Sequence, residues 1–238
     1  MNVMRMHELR RVPHFRKDMI EPAENEHADS IASNIGALDS WATAFWSGKG
    51  LFDHCHFGRF DPAHGATFTV WQLSAARDCV MSIYHFGRTI EGIDASLGRC
   101  PNLTSNIDTK AKRAAAKLFK RTFRFFIKIR HALAHAAERS HTRDTFRRHS
   151  QRGRAPINLG WLEISTPEDD GGILMMDHVH GETFATMWEG EVIRCEINEG
   201  TGRILDDIVA QYWTAFDAVI DPNPADAPTV TWSKAPQA

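Results

Sequence analysis

The chain has 238 residues, 42% hydrophobic and 24% charged, with a formal net charge of −2. That balance excludes a chain too polar to build a core, and no run approaches the roughly 18 consecutive apolar residues of a membrane helix. The small net charge hides an asymmetry: residues 110–154 hold 15 Lys and Arg against Glu138 and Asp144, a local +13, so the rest of the chain carries −15.

Residues 1–22 predict an irregular arm. It has Arg5, Arg10, Arg11 and Arg16 but no apolar segment of a secretory signal behind them. The spacing of Ile31, Ile35, Leu38, Trp41 and Phe45 predicts a helix over 22–46. Pro22 suits its first turn, Glu24 and Glu26 suit the positive end of its dipole, and Gly48 and Gly50 end the pattern. A loop over 47–65 follows. A second helix is expected over 66–97, with Val70, Leu73, Val80, Ile83, Tyr84, Ile90 and Leu97 on its apolar face and Gly87 and Gly92 as weak points.

A third helix starts at Asn106 or Asp108, either of which can cap it, and is expected to reach Ser140. Leu118, Phe125, Ile129 and Ala132 form one apolar row, and Phe119, Phe123, Phe126 and Leu133 form another that also contains Arg130. Arg124, Lys128, His131, His135 and Glu138 form a polar row. Residues 139–156, with six arginines, predict a mobile basic linker or a frayed helical extension. The pattern then changes to strands. Ile157, Leu159 and Trp161 alternate with Asn158 and Gly160, Asp170-Gly171-Gly172 signals a turn, and 173–176, 183–188 and 192–197 are short strand candidates, the last two joined at Glu189-Gly190. A fourth helix is expected over 202–220, followed by a proline-rich disordered tail over 221–238.

Four amphipathic helices need one shared core. The expected fold is mainly α, a four-helix bundle over 23–220 with a small antiparallel β-meander inserted at about 157–198, before the last helix. The four cysteines, Cys55, Cys79, Cys100 and Cys195, form no CxxC pair and point to reduced thiols in a cytoplasmic protein.

The stretch Arg130-His131-Ala132-Leu133-Ala134-His135 carries the candidate chemistry. Its Arg-x4-His spacing also occurs at Arg59/His64, but only Arg130/His135 lies inside a helix in basic surroundings. Five residues at about 100° each set Arg130 and His135 roughly 140° apart, so one ideal helix does not converge them. Two copies related by a two-fold axis can bring Arg130 of one chain to His135 of the other. An arginine in an apolar row needs a partner, and Asp78 and Glu91 are the intramolecular candidates.

This stretch resembles the signature of HEPN domains: Arg, then Asn, Asp or His, then three residues, then His. The resemblance covers about 25–140 and 202–220. It implies a homodimer with paired motifs at its cleft and, for many members, a metal-independent endoribonuclease acting as a toxin or antiviral defence effector, in some cases with a neutralising antitoxin. Other members are non-catalytic and bind a nucleotide, a nucleic acid or a partner protein. The catalytic candidates are Arg130, His135 and His131, with no cofactor and no metal. A histidine can move the 2′-OH proton or protonate the leaving oxygen, and an arginine can fork onto the phosphate. Lys128, Arg124, Arg139, Arg143, Arg147 and Arg148 are the candidate RNA contacts.

Alternative readings stand beside these. Arg130 can be a core cation paired with a carboxylate and His135 a solvated side chain. His131 and His135 have the i, i+4 spacing that zinc sites use; His54, His56, Asp61 and His64 form a second loose group and His178 with His180 a third. Trp161, Trp188 and Phe184 can stack bases or fill the meander core.

Overall fold

The computed structural model describes residues 12–151, 156–165 and 172–222. Two long helices dominate, α1 (Asn25–Gly58) and α2 (Gly65–Leu97), packed side by side. Each is about 50 Å long at 1.5 Å per residue. Ile31, Ile35, Leu38 and Phe45 are buried as their spacing predicts, whereas Trp41 is only half-buried and Ala42 takes its place in the core.

α1 does not end at Gly48 or Gly50, and most of the expected loop is helix. Gly48 marks a close approach rather than a stop: a Cβ there would sit 2.9 Å from the Cys79 sulfur of α2. The turn after α1 is held by Asp61, whose Oδ1 accepts from the backbone of Ala63 and His64 at 2.7 and 3.1 Å. α2 is likewise unbroken through Gly87 and Gly92. Val70 of its expected apolar face is exposed.

The expected third helix is broken into pieces. After α3 (Pro101–Asn106), Asp108 caps α4 (Thr109–Thr122) by accepting from the backbone of Lys110 and Ala111. The chain bends at Phe123 and restarts as α5 (Phe126–Ala134). The bend folds Phe126 back to 5.3 Å from Phe119, both rings lying over the bare backbone of Gly87. A 3-10 turn (Glu138–Ser140) and α6 (Arg143–His149) follow, the latter with a Thr142/Thr145 capping box. The expected basic linker is therefore structured over its described part; Arg152 and Arg154 lie outside the described residues.

β1 (Ile157–Asn158) and β2 (Glu163–Ile164) form a small antiparallel pair. β3 (His178–His180), β4 (Thr183–Trp188) and β5 (Glu191–Glu196) form an antiparallel meander in that order. The expected strand at 173–176 reduces to one bridge between Ile173 and Gln151, and the strand begins later, at His178. Just before it, Asp177 turns its carboxylate inward to the partners described below. Glu189 and Gly190, at φ 52° and 71°, make the tight β4–β5 turn that the Glu-Gly pair suggests. α7 (Glu199–Phe216), capped by Asn198, packs on α1 and α4. The proline-rich tail lies outside the described residues beyond position 222, as does 1–11 of the arm. The rest of the arm is pinned, with Phe15 bridged to Ile220 and its ring 5.8 Å from Phe216.

The molecule is thus mainly helical with a small antiparallel sheet before the last helix. Side chains of α1, α2, α4, α5, α7 and the meander share one core. No helix among the described residues is long and apolar enough to cross a membrane.

Candidate active site

α5 lies between α2 on one side and β4 on the other, and this decides where its polar residues go. Ile129 and Ala132 are buried between them. Arg130 is half-buried on the α2 side, its guanidinium 6.0 Å from the centre of the Tyr84 ring. No ion pair of Arg130 occurs among the described residues: Glu91 pairs with Arg88, and Asp78 is exposed. A cation over an aromatic face, rather than the expected carboxylate, is its recorded contact.

His131 and His135 face the meander. Their rings are 6.1 Å apart and nearly parallel, and each lies about the same distance from Trp188 at the end of β4, 6.0 and 6.2 Å. His135 is not interior to a helix, as the sequence suggests, but caps the C-terminus of α5, with its backbone N–H donating to the His131 carbonyl. Its ring Nδ1 donates to Glu138 Oε2 at 2.9 Å, and its side chain is 39% exposed. In the neutral ring that bond places the proton on Nδ1 and makes Nε2 the acceptor.

A third imidazole completes the group. His149, at the end of α6, lies 4.3 Å from Trp188, and its Nδ1 accepts from the backbone of Glu189 at 3.1 Å. Burial lowers its pKa; Glu189 pulls the other way, and Arg139 and Arg148 add to the lowering. His149 and the role of Trp188 escape a reading of the sequence, because the bend after α5 creates the contact and no periodicity links positions 14 residues apart.

The candidate RNA contacts divide. Arg139 is withdrawn from that set: it is fully buried, with NH1 donating to Thr186 Oγ1 (3.0 Å) and the Met187 carbonyl (2.6 Å) and NH2 to Asp177 (3.3 Å). Asp177, itself buried, also accepts from Arg77 at 2.8 Å and from Thr186 at 2.7 Å. This cluster fastens α2, the 3-10 turn and β4 together. Lys128 pairs with Glu191 at 2.5 Å, so its charge is locally neutralised. Arg124 is exposed and lies 4.5 Å over the Phe125 ring, and Arg143, Arg147 and Arg148 are exposed on α6.

Among the described residues, no three His, Cys, Asp or Glu side chains converge as metal ligands. His56 meets Gln72, His64 approaches Asp61, and His54 packs on Phe68. His178 and His180 stack instead on Trp161, at 5.0 and 4.5 Å. Phe184 is fully buried in the core, so it cannot stack a base.

No protein-family model matches the chain, and neither does any of the curated proteins or solved structures compared with it.

The arrangement offers two half-buried imidazoles side by side, one oriented by a carboxylate, beside the Trp188 ring. Such a pair can take a proton from one oxygen and give one to another across a phosphodiester.

Proposed function

We propose that the protein is a metal-independent endoribonuclease of HEPN type that acts as a homodimer. His135 takes the proton from the ribose 2′-OH, the 2′-oxygen attacks the adjacent phosphorus, and His131 protonates the departing 5′-oxygen. The products are a 2′,3′-cyclic phosphate and a 5′-OH. Arg130 of the second chain forks onto the non-bridging oxygens and stabilises their developing charge. A four-helix bundle of the family type belongs to the same proposal.

The observation that carries it is the His131/His135 pair, with His135 held through Nδ1 by Glu138. RNA supplies its own nucleophile, so an acid and a base at a phosphate suffice, and no metal is required of the site. Incubating the purified chain with RNA in EDTA tests it. Cleavage is expected to persist and to fall by about 10²–10⁴-fold in His135→Ala. Loss of cleavage in EDTA, or an unaffected His135→Ala, overturns it.

A second reading has one specific observation behind it. Arg130 rests on Tyr84 rather than beside His135, as suits a module that binds RNA or a nucleotide without cutting it. Binding of RNA with no cleavage product under the same conditions selects this reading.

A further inference from the structure

The outward face of α4 carries five cations: Lys110, Arg113, Lys117, Lys120 and Arg121. At 100° per residue they fall within an arc of about 100°, and from Lys110 to Arg121 they run about 16 Å along the axis. All five are exposed, and none has an ion pair among the described residues. The helix contains no acid; Asp108 is occupied as its cap, and Asp94 pairs with Lys112 on the flank. We propose that this stripe is a phosphate-backbone track for RNA. It lies outside the α5 site and holds the strand while that site acts.

The sequence singles out a basic segment but places its RNA contacts later, from Arg124 onward. The structure shows why α4 is the stronger candidate. Arg139 is buried and Lys128 is neutralised, whereas the α4 cations are free of acids. A solvated helix face ordinarily interleaves opposite charges at i, i+4. Here Arg113/Lys117, Lys117/Arg121 and Lys117/Lys120 set like charges at i+4 and i+3, which destabilises the isolated helix. A row of phosphates relieves that repulsion, and releasing their counterions drives binding.

The stripe selects a linear polyanion over an anionic membrane. The apolar face of α4 is committed to the core through Ala115, Ala116 and Phe119, which leaves no hydrophobic face to insert into a bilayer. The rest of the chain is strongly acidic, so a plane large enough to cover the molecule would meet that repulsion; a strand along α4 avoids it. No exposed aromatic sits on the stripe, so it reads the backbone and carries no sequence preference.

The inference rests on the RNA reading of the α5 site but is tested apart from it, by binding alone. The probe is a fluorescein-labelled mixed-sequence 2′-O-methyl RNA, which has no free 2′-OH and is not cleaved. Its anisotropy is followed against KCl with the full chain. Replacing Lys110, Arg113, Lys117 and Arg121 together by Gln, a good helix former, should flatten the slope of log K against log salt by about 3, at roughly 0.7 per phosphate contact on a single strand. Lys110→Arg with Lys117→Arg should keep the native slope. An unchanged slope in the Gln variant overturns the track, as does binding to phosphatidylserine vesicles that the Gln variant abolishes while RNA binding persists. Far-UV circular dichroism confirms that each variant folds. The two proposals fail separately: no cleavage with an intact slope effect removes the nuclease, and cleavage with no slope effect removes the track.

Discussion

Asp177 pairs with two guanidinium groups, the solvent-facing Arg77 at 2.8 Å and the fully buried Arg139 at 3.3 Å. The carboxylate, Thr186 and the Met187 carbonyl answer the two terminal nitrogens of the buried Arg139 and offset its desolvation, while Nε has no partner. Asp177→Asn leaves that buried cation without a counter-charge, and a loss of about 3–5 kcal/mol is expected in denaturant unfolding. A loss under about 1 kcal/mol would show the cluster to be ornamental. Nothing in the sequence marks Arg139 apart from its five arginine neighbours, because its partners Asp177, Thr186 and Met187 lie 38 to 48 residues downstream and no local pattern ties them to it. His149 adds a pH effect. Its folded pKa lies below the ordinary value of about 6.5, chiefly because it is buried. The unfolded chain therefore takes up the proton first. The stability His149 contributes is complete above about pH 6.5 and is lost as the pH falls through the folded value. Protonation must occur at Nδ1, which accepts from Glu189, so it also breaks that bond. Thermal unfolding at pH 7.5 and 5.5 should show a smaller acid-side drop in Tm for His149→Asn, which keeps an acceptor in place of Nδ1. Equal drops in the two proteins would remove His149 from the account.

At the level of elements, the apolar spacing reads the helices well where packing agrees with periodicity and badly where it overrides it. α1 and α2 are located by their apolar rows, but Gly48 and Gly87 look like breaks and are instead places where another side chain approaches the backbone. A Cβ on Gly87 would lie 2.6 Å from the Phe126 ring and 2.7 Å from Phe119. Gly87→Ala, favourable by helix propensity alone, should therefore destabilise the protein by about 1–3 kcal/mol through overpacking. The same change at an exposed helix position would stabilise it, so the sign of the change in urea unfolding decides the matter. The long expected third helix fails for a related reason. Phe119, Phe123 and Phe126 fit the row of one straight helix, but with the chain bent at Phe123 the rings of Phe119 and Phe126 meet over Gly87 and Phe123 packs on Phe119. That bend, and the end of α5 at His135, give the histidine pair its place beside Trp188.

At the scale of the whole molecule, one chain does not assemble the proposed site. Arg130 points to Tyr84 on the α2 side of α5, while His131 and His135 face Trp188 on the meander side. This is the divergence that the five-residue spacing implies from sequence alone, since a rotation of about 140° on a helix cannot be undone by side chains. The proposed two-fold dimer would convert the divergence into two composite sites, each taking Arg130 from one protomer and the histidines from the other. Arg130→Ala and His135→Ala should then each be inactive alone. Mixed in equal amounts and allowed to exchange subunits, half of the dimers are mixed, and each mixed dimer holds one intact site and one doubly damaged site. Activity should return to about a quarter of the native value, the statistical limit for random pairing under two-fold symmetry. If Arg130 and His135 served the same site within one chain, every site in the mixture would lack one of them and mixing would restore nothing. A monomer by light scattering at the assay concentration would remove the composite site as well.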